Sequence, residues 1–360
     1  MLVAPNHITD CMESTTVQIT TPSLSASRIM EVGMGFWPAK VLLSALELEL
    51  FTKLDGTGMT ALELQHALGL HSRANPDFFD ALVALRFLDR DGDGSQARYR
   101  NTPETAMFLD RKSPAFIGGF LEMCNARLYR FWGDLTEALR TGEPQNEIKH
   151  TGASMFGELY SKPERLEQFM AAMSGISAGN FQAFAEKFDF SNYRSMCDVG
   201  GASGQLSIFV ATLHPHMTCV SLDLPEATRI AERKIAAAGV ADRVSARPID
   251  FFSEQVPPAD VVTMGMILHD WNLEKKRQLI AKAYDAVRPG GAFVVIENLI
   301  DDARRENAFG LMMSLNMLVE FGDAFDFTGA DFSNWCREAG FKRCEVIPLG
   351  GPASAGVAYK

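Results

Sequence analysis

From about residue 26 to 110, apolar residues recur every three to four positions. In FWPAKVLLSALELELFTKL, Val41, Leu42, Ala45, Leu46, Leu48 and Leu50 share one broad face, the spacing of an amphipathic helix. MTALELQHALGL and NPDFFDALVALRFLDRDGDGSQARYRNT keep that period. Thr60 stands where an N-cap belongs, and DRDGDG reads as a turn. A helix, a turn, a second helix and a hairpin predict a winged-helix-like module over 26–110. Residues 111–185 continue as helix, with many aromatics and methionines. Such side chains fill a core and also shape adaptable apolar pockets. Residues 1–25, rich in Thr and Ser, show no period and read as a flexible arm.

Near residue 190 the period changes. Short apolar runs (SMCDVG, TCVSLDL, RVSARPID, DVVTMGMIL, GAFVVIENL) alternate with helical stretches such as EATRIAERKIAAAG and LEKKRQLIAKAYDAVRPGG. This alternation predicts an α/β domain over 186–360, a mostly parallel sheet covered on both faces. The last two runs, CEVIPL and AGVAYK, are joined by GGPAS, which leaves no room for a helix. They predict an antiparallel edge hairpin, making seven strands.

Charge narrows the possible partners. The chain carries a net −11, so it has no electrostatic reason to seek nucleic acid or anionic lipid. Between Asp55 and Asp110, nine acidic residues face five basic ones. A DNA-binding wing needs the opposite balance, so a structural or dimerising module is favoured. The six cysteines (11, 124, 197, 219, 336, 344) lack metal-like or redox-like spacing and read as thiols of a reducing compartment. No apolar segment precedes Arg28, and no run approaches the ~20 apolar residues of a membrane span. A cytoplasmic protein without a membrane partner is expected.

In an open α/β sheet, ligands bind beyond the carboxyl ends of the strands. Five successive strand ends here are polar or glycine-rich. They are CDVGGASGQ at 197–205, LDLP with Asp223 and Leu224, IDFF with Asp250 and Phe251, MILHDW, and VIENL with Glu297. Gly200, Gly201 and Gly204 permit a tight turn and close backbone approach to a ligand. The next helix offers free N–H groups. An acid ending the second strand, about 20 residues on, suits both hydroxyls of a ribose. GxGxxG spacing fails from Gly200, because 202 is Ala and 205 is Gln. Asp198 suits a cationic amino group, and Asp250 suits an adenine amino group. A zwitterionic nucleoside therefore fits better than a pyrophosphate, which these acids would repel.

Taken in order, DVGGASG, LDLP, IDFF, LHDW and IEN resemble the small-molecule O-methyltransferases of the plant caffeate and acetylserotonin type, with bacterial relatives. KVLLSALELELFTKL is similar to their dimerisation domain, so the resemblance covers roughly residues 30–360. It implies a homodimer that uses S-adenosylmethionine. It implies a Rossmann-like methyltransferase domain behind a mainly helical dimerisation domain, with 111–185 contributing to the substrate pocket. By this resemblance the Gly200–Gly204 loop holds the aminoacyl end of the cofactor, Asp223 binds the ribose, and Asp250 with Phe251 flanks the adenine. His269 matches the general base. Glu297 matches one of two flanking carboxylates, and Asp326 falls near the second, where the family usually has Glu. A Lys common in plant members is Gly265 here, and the central glycine of the first loop is Ala202. Helical phase and resemblance together nominate Phe156, Phe169, Met173, Met313, Asn316 and Met317 as walls for the small-molecule acceptor.

A hydroxyl acceptor must lose a proton, and a histidine at the mouth of the site is suited to take it. Glu297 would then fix the tautomer. Trp271 is expected to pack the strand–helix junction, and Asp270 to cap the helix that begins near Asn272. A thioether acceptor has no proton to lose and needs only alignment. S-methylation of 4-methylthio-2-hydroxybutyrate, towards dimethylsulfoniopropionate, is thus an alternative. Arg127, Tyr129, Arg130, Lys149 and His150 are then either partners for a substrate carboxylate or a solvated face. A winged-helix regulator that senses the cofactor is the alternative of another class. A nicotinamide dehydrogenase is disfavoured by the broken glycine fingerprint.

Overall fold

The computed structural model describes residues 24–54, 56–147, 149 and 163–360. Phe156 and His150 lie outside the described residues.

The N-terminal part is built on α1 (Ser27–Gly33), α2 (Phe36–Glu47) and α3 (Leu50–Lys53). Glu49, at φ +57, breaks the long apolar stripe between the last two. Leu43, Ala45, Leu46 and Leu50 are buried, while Val41, Leu42 and Leu48 are partly buried. Thr60 caps α4 (Ala61–Ala67) through a capping box. Its hydroxyl accepts from Glu63 N at 3.3 Å, and its own N–H donates to the Glu63 carboxylate at 2.7 Å. Then come α5 (Asp77–Ala84) and a small antiparallel sheet of β1 (Met59–Thr60), β3 (Arg98–Asn101) and β2 (Leu88–Asp91). Phe51, Leu64, Phe79, Leu82 and Tyr99 close the core of this module.

The stretch Ser27–Glu47 corrects one expectation. It is 21 residues long, has a mean hydropathy of 1.3, and by length and composition could cross a bilayer. Its C-terminal residues Leu43, Ala45 and Leu46 join the core, but the apolar residues of its first half do not. Ile29, Met30, Val32, Phe36 and Trp37 are exposed, and only 17% of the stretch is buried. A surface of this kind marks an interface.

Short helices α6 (Pro103–Phe108), α7 (Gly118–Met123), α8 (Tyr129–Phe131) and α9 (Leu135–Thr141) lead towards α10 (Pro163–Lys187). A π-turn at Cys124–Leu128 separates α7 from α8. The sheet follows: β4 (Ser195–Val199), α11 (Gln205–Leu213), β5 (Thr218–Asp223), α12 (Pro225–Ala237), β6 (Val244–Pro248), β7 (Ala259–Gly265), α13 (Leu273–Ala286) and β8 (Val287–Glu297). Next are α14 (Ala308–Phe321), α15 (Gly329–Ala339), β9 (Arg343–Pro348) and β10 (Ser354–Tyr359).

The strand order is β6-β5-β4-β7-β8-β10-β9, parallel except for the final hairpin. Central strands buried on both faces read as continuous apolar runs. Phe293–Ile296 of β8 is such a run, and each buried side chain of this size contributes roughly 1.5–3 kcal/mol. The chain reverses its winding between β4 and β7, which opens a crevice at their carboxyl ends.

Candidate active site

The loop after β4 is a cradle that admits little more than backbone. Gly200 sits at φ +70, and a Cβ there would lie 2.3 Å from Ile267 Cδ1. At Gly201 a Cβ would lie 2.2 Å from Ser221 Oγ. Gly204, at φ +73, is the residue before α11. Ala202 adopts φ +47, a conformation that favours glycine, so the alanine there carries strain. The loop is tied to β5: Gly200 N and Gly201 N donate to Leu222 O at 2.8 and 3.1 Å. Ala202 N and Leu224 N donate to the Asp223 carboxylate at 2.9 and 2.7 Å. A carboxylate keeps further acceptor sites beyond these two bonds. From the other side, Ser174 of α10 shares a buried 2.7 Å hydrogen bond with Ser203.

Asp198 is buried beneath this loop and accepts from the Thr263 hydroxyl at 2.7 Å. Burial pushes its carboxyl up to about 7; the Thr263 bond pulls it down and nearby Asp223 pushes it further up. Asp250 is exposed, and it caps its own turn by accepting from Phe252 N and Ser253 Oγ. These bonds, the Ser253 one foremost, hold its carboxyl below the usual range. Phe251 is half-buried against Phe252, their ring centroids 5.0 Å apart. A backbone cradle flanked by Asp198, Asp223 and Asp250 fits a cationic nucleoside and repels a pyrophosphate. The residues present therefore fit S-adenosylmethionine.

On the other side of the crevice, β7 ends in a strained turn, with Met266 at φ +55. A short helical turn, Leu268–Asp270, then presents His269, which is buried. Glu297, the last residue of β8, holds this turn by accepting from Ile267 N and Leu268 N at 3.2 and 3.0 Å. His269 Nδ1 lies 3.5 Å from Asp326 Oδ1, an ion contact too long for a good hydrogen bond. Nε2 lies 3.3 Å from Asp270 Oδ1. His269, Glu297 and Asp326 present polar atoms within 4.8 Å of one another. Nδ1, Glu297 Oε2 and both Asp326 oxygens are buried without a hydrogen-bond partner. Burial drives the proton affinity of the imidazole down, but Asp270, Glu297 and Asp326 together raise it well above the ordinary histidine value. Burial in turn raises Glu297 and Asp270, and His269 pulls both back down. His269, Asp270 and Glu297 are thus electrostatically coupled, and none of them titrates independently of the others.

Several expectations change here. Asp270 caps nothing; Asn272 is the cap of α13, accepting from Lys275 N at 3.1 Å. Asn272 stands two residues after Asp270; either side chain suits a cap position, and the one not engaged by the histidine takes it. Arg127 is neither solvated nor available to a substrate carboxylate. It grips Glu147 at 2.6 and 2.8 Å and buried Glu320 at 3.1 Å. Above Gly265, the space a lysine would need is filled by Phe181 of α10, whose ring a Cβ would meet at 2.8 Å. Trp271 does pack the junction, its ring edge-on to Phe252 at 4.7 Å.

Among the acceptor-wall candidates, Met313, Asn316 and Met317 share one face of α14, which packs on the His269 turn. Asn316 Oδ1 accepts from Trp132 Nε1 at 2.9 Å, so its amide nitrogen is left as a donor. Phe169 and Met173 sit one turn apart on α10, both partly buried. Trp132, Ser174, Phe181 and Lys276 were not legible as site residues. Only Lys276 left a sequence trace: it occupies the apolar stripe of its own helix, in phase with Leu279, Ile280 and Ala283.

Comparison with known proteins agrees with this fold. The family model of the O-methyltransferase domain matches residues 132–342, and that of the O-methyltransferase dimerisation domain matches 30–111. The chain is 36% identical to the tetracenomycin polyketide synthesis 8-O-methyl transferase of Streptomyces glaucescens, over 92% of this chain and 96% of that protein. It is 32% identical to the 3-hydroxy-5-methyl-1-naphthoate 3-O-methyltransferase of Streptomyces sahachiroi, over 91% and 93%. Human N-acetylserotonin methyltransferase, solved in complex with S-adenosylmethionine, superposes with a TM-score of 0.86 at 27% identity, covering 95% of this chain and 99% of that one.

Proposed function

The chain belongs to the S-adenosylmethionine-dependent small-molecule O-methyltransferases, and on that premise we propose that it methylates a phenolic hydroxyl on a fused-ring aromatic metabolite, with His269 as the base. When bound, S-adenosylmethionine supplies an activated methyl group on a positively charged sulfur. The work of the protein residues is to bind, orient and remove a proton.

The carrying observation is the convergence of His269 with Asp270, Glu297 and Asp326 on the carboxyl-end side of the sheet, beside the glycine cradle. Asp326 at Nδ1 favours the tautomer whose Nε2 faces the acceptor. Nε2 takes the hydroxyl proton, and the surrounding carboxylates stabilise the imidazolium that results. Fused-ring phenols follow from the apolar wall of Met313, Met317, Phe169 and Met173, with the Asn316 amide as an oriented donor. The two streptomycete relatives, one acting in tetracenomycin polyketide synthesis and one on a naphthoate, support that class. Asp198 and Asp223 hold the cofactor side, and Asp250 with Phe251 flanks the adenine of the cofactor.

The family dimerisation domain supports a homodimer, and the exposed face from Ile29 to Trp37 suits its interface. We place the enzyme in the cytoplasm, consistent with free cysteines at 124, 197, 219, 336 and 344, and without nucleic-acid or membrane partners.

A panel of naphthols, hydroxynaphthoates, anthraquinone phenols and thioethers, assayed with methyl-labelled cofactor, tests this reading. His269→Gln is expected to lose about 100-fold or more in kcat on the phenol that turns over. Turnover confined to thioethers, or a normal rate in His269→Gln, would overturn it.

A further inference from the structure

Lys276 is the one charged side chain of α13 that points into the protein. It is fully buried, at 0% exposure. Burying an ammonium is costly unless other groups compensate. Its Nζ donates to the Trp271 carbonyl and stands 3.7 Å from the centroid of the Phe325 ring, with Phe327 at 5.7 Å. These contacts hold the lysine in place, but they explain neither its charge nor its position. A leucine would complete the stripe of Leu279, Ile280 and Ala283 without any burial penalty.

The charge is explained by its surroundings. Three buried or nearly buried carboxylates, Asp270, Glu297 and Asp326, crowd a single imidazole. Their combined field binds the histidine proton tightly, and a histidine that never releases its proton cannot accept one. A buried positive charge behind the cluster weakens that hold. We propose that Lys276 is a positioning residue for the His269 base, a buried counter-cation that offsets part of the field of the surrounding carboxylates and so eases release of the imidazole proton. The inference rests on the reading of His269 as the base.

Other charges nearby are already engaged. Asp323 receives Asn272 Nδ2 at 2.7 Å and faces the same lysine. Lys275 lies over the outer side of the Trp271 ring, at 4.7 Å. Arg277 pairs with Glu338 of α15 at 3.1 Å, and Asp331 caps that helix. On α14, Glu320 is matched by Arg127. Among the described residues, Lys276 is thus the cation whose field falls on the cluster from the protein interior. Burial lowers its own proton affinity to about 8, while Glu297, Asp326, Asp270 and Asp323 support the charge. The coupling runs both ways, because Lys276 lowers Glu297 and Asp270 in return.

The sign is fixed. Removing a cation raises every proton affinity in a coupled group, whichever member takes the proton. The test is an NMR titration of the cofactor-free, full-length protein labelled at histidine Cε1, with the His269 signal assigned by its loss in His269→Gln. Lys276→Met is expected to move the His269 midpoint upward by about one pH unit, whereas Lys276→Arg leaves it within about 0.3 unit. Lys276→Gln makes the same measurement if the methionine variant does not fold. An unchanged midpoint in the charge-removed variant, or an equal shift in the arginine variant, would overturn the inference. The base reading fails separately, by undiminished phenol methylation in His269→Gln.

Discussion

Thr263 and Asp198 are register partners on β7 and β4, and the threonine hydroxyl donates to the carboxylate across that rung at 2.7 Å. One hydroxyl is thin compensation for an anion buried so deeply. The folded carboxyl, raised to about 7 chiefly by burial, sits above the ~4 of an unfolded aspartate. Its contribution to stability is therefore full below about pH 4 and lost as pH rises through about 7. In the ligand-free protein, Asp198→Asn should raise Tm on the order of 3 °C more at pH 8 than at pH 5. It should also abolish the thermal shift caused by S-adenosylmethionine. Equal Tm differences at both pH values would rule out this proton on Asp198.

The glycine cradle makes two opposite claims. Gly200→Ala places a methyl 2.3 Å from Ile267 Cδ1 at φ +70. It should cost about 2 kcal/mol or more and eliminate cofactor binding. Ala202→Gly relieves φ +47 and should stabilise by up to about 1 kcal/mol, since glycine flexibility offsets part of the relief. Urea unfolding reads both. A destabilised Ala202→Gly would mean that the turn stores no strain.

Asp326→Asn keeps the shape of the side chain but offers His269 Nδ1 a donor as readily as an acceptor. The productive tautomer is then no longer enforced. A loss of about 100-fold or more in kcat is expected, with cofactor affinity by calorimetry unchanged. Full retention of kcat would leave the orienting role to Glu297 alone.

Phe181 over Gly265 sets up a double-mutant cycle. Gly265→Lys alone should destabilise, because its Cβ meets the ring at 2.8 Å. Phe181→Ala alone should cost about 3 kcal/mol or less, the ring being only partly buried. Together they should cost less than the sum, by about 1 kcal/mol. Strict additivity in denaturant melts would show that ring and glycine do not share that space.

The parallel sheet, its edge hairpin and the polar strand ends could be read from the sequence because their signals are local. A two-residue or 3.6-residue period, a glycine cluster and an acid at a fixed offset are visible in a short window. Asp270 was misread for the opposite reason. Asp and Asn both cap helices, and only the ring position of His269 decides between them. Arg127 looked free because its partner Glu320 is 193 residues away in the chain. Phe181 and Ser174 lie on a helix whose period is satisfied by many partners, so only tertiary packing reveals that one meets Gly265 and the other the glycine loop. The exposed stretch Ser27–Glu47 evaded a search for uninterrupted apolar runs because Arg28, Glu31 and Lys40 interrupt it, yet its mean hydropathy remains high.

Helix α10 touches the cradle through Ser174, bonded to Ser203, and also carries Phe169 and Met173, which we propose for the acceptor wall. Whatever settles that helix for one guest settles it for the second. Saturating the cradle should therefore tighten the grip on a phenol, and by thermodynamic reciprocity a phenol should tighten the cradle by the same factor. Ser174→Ala would cut that conversation while leaving each guest its own contacts.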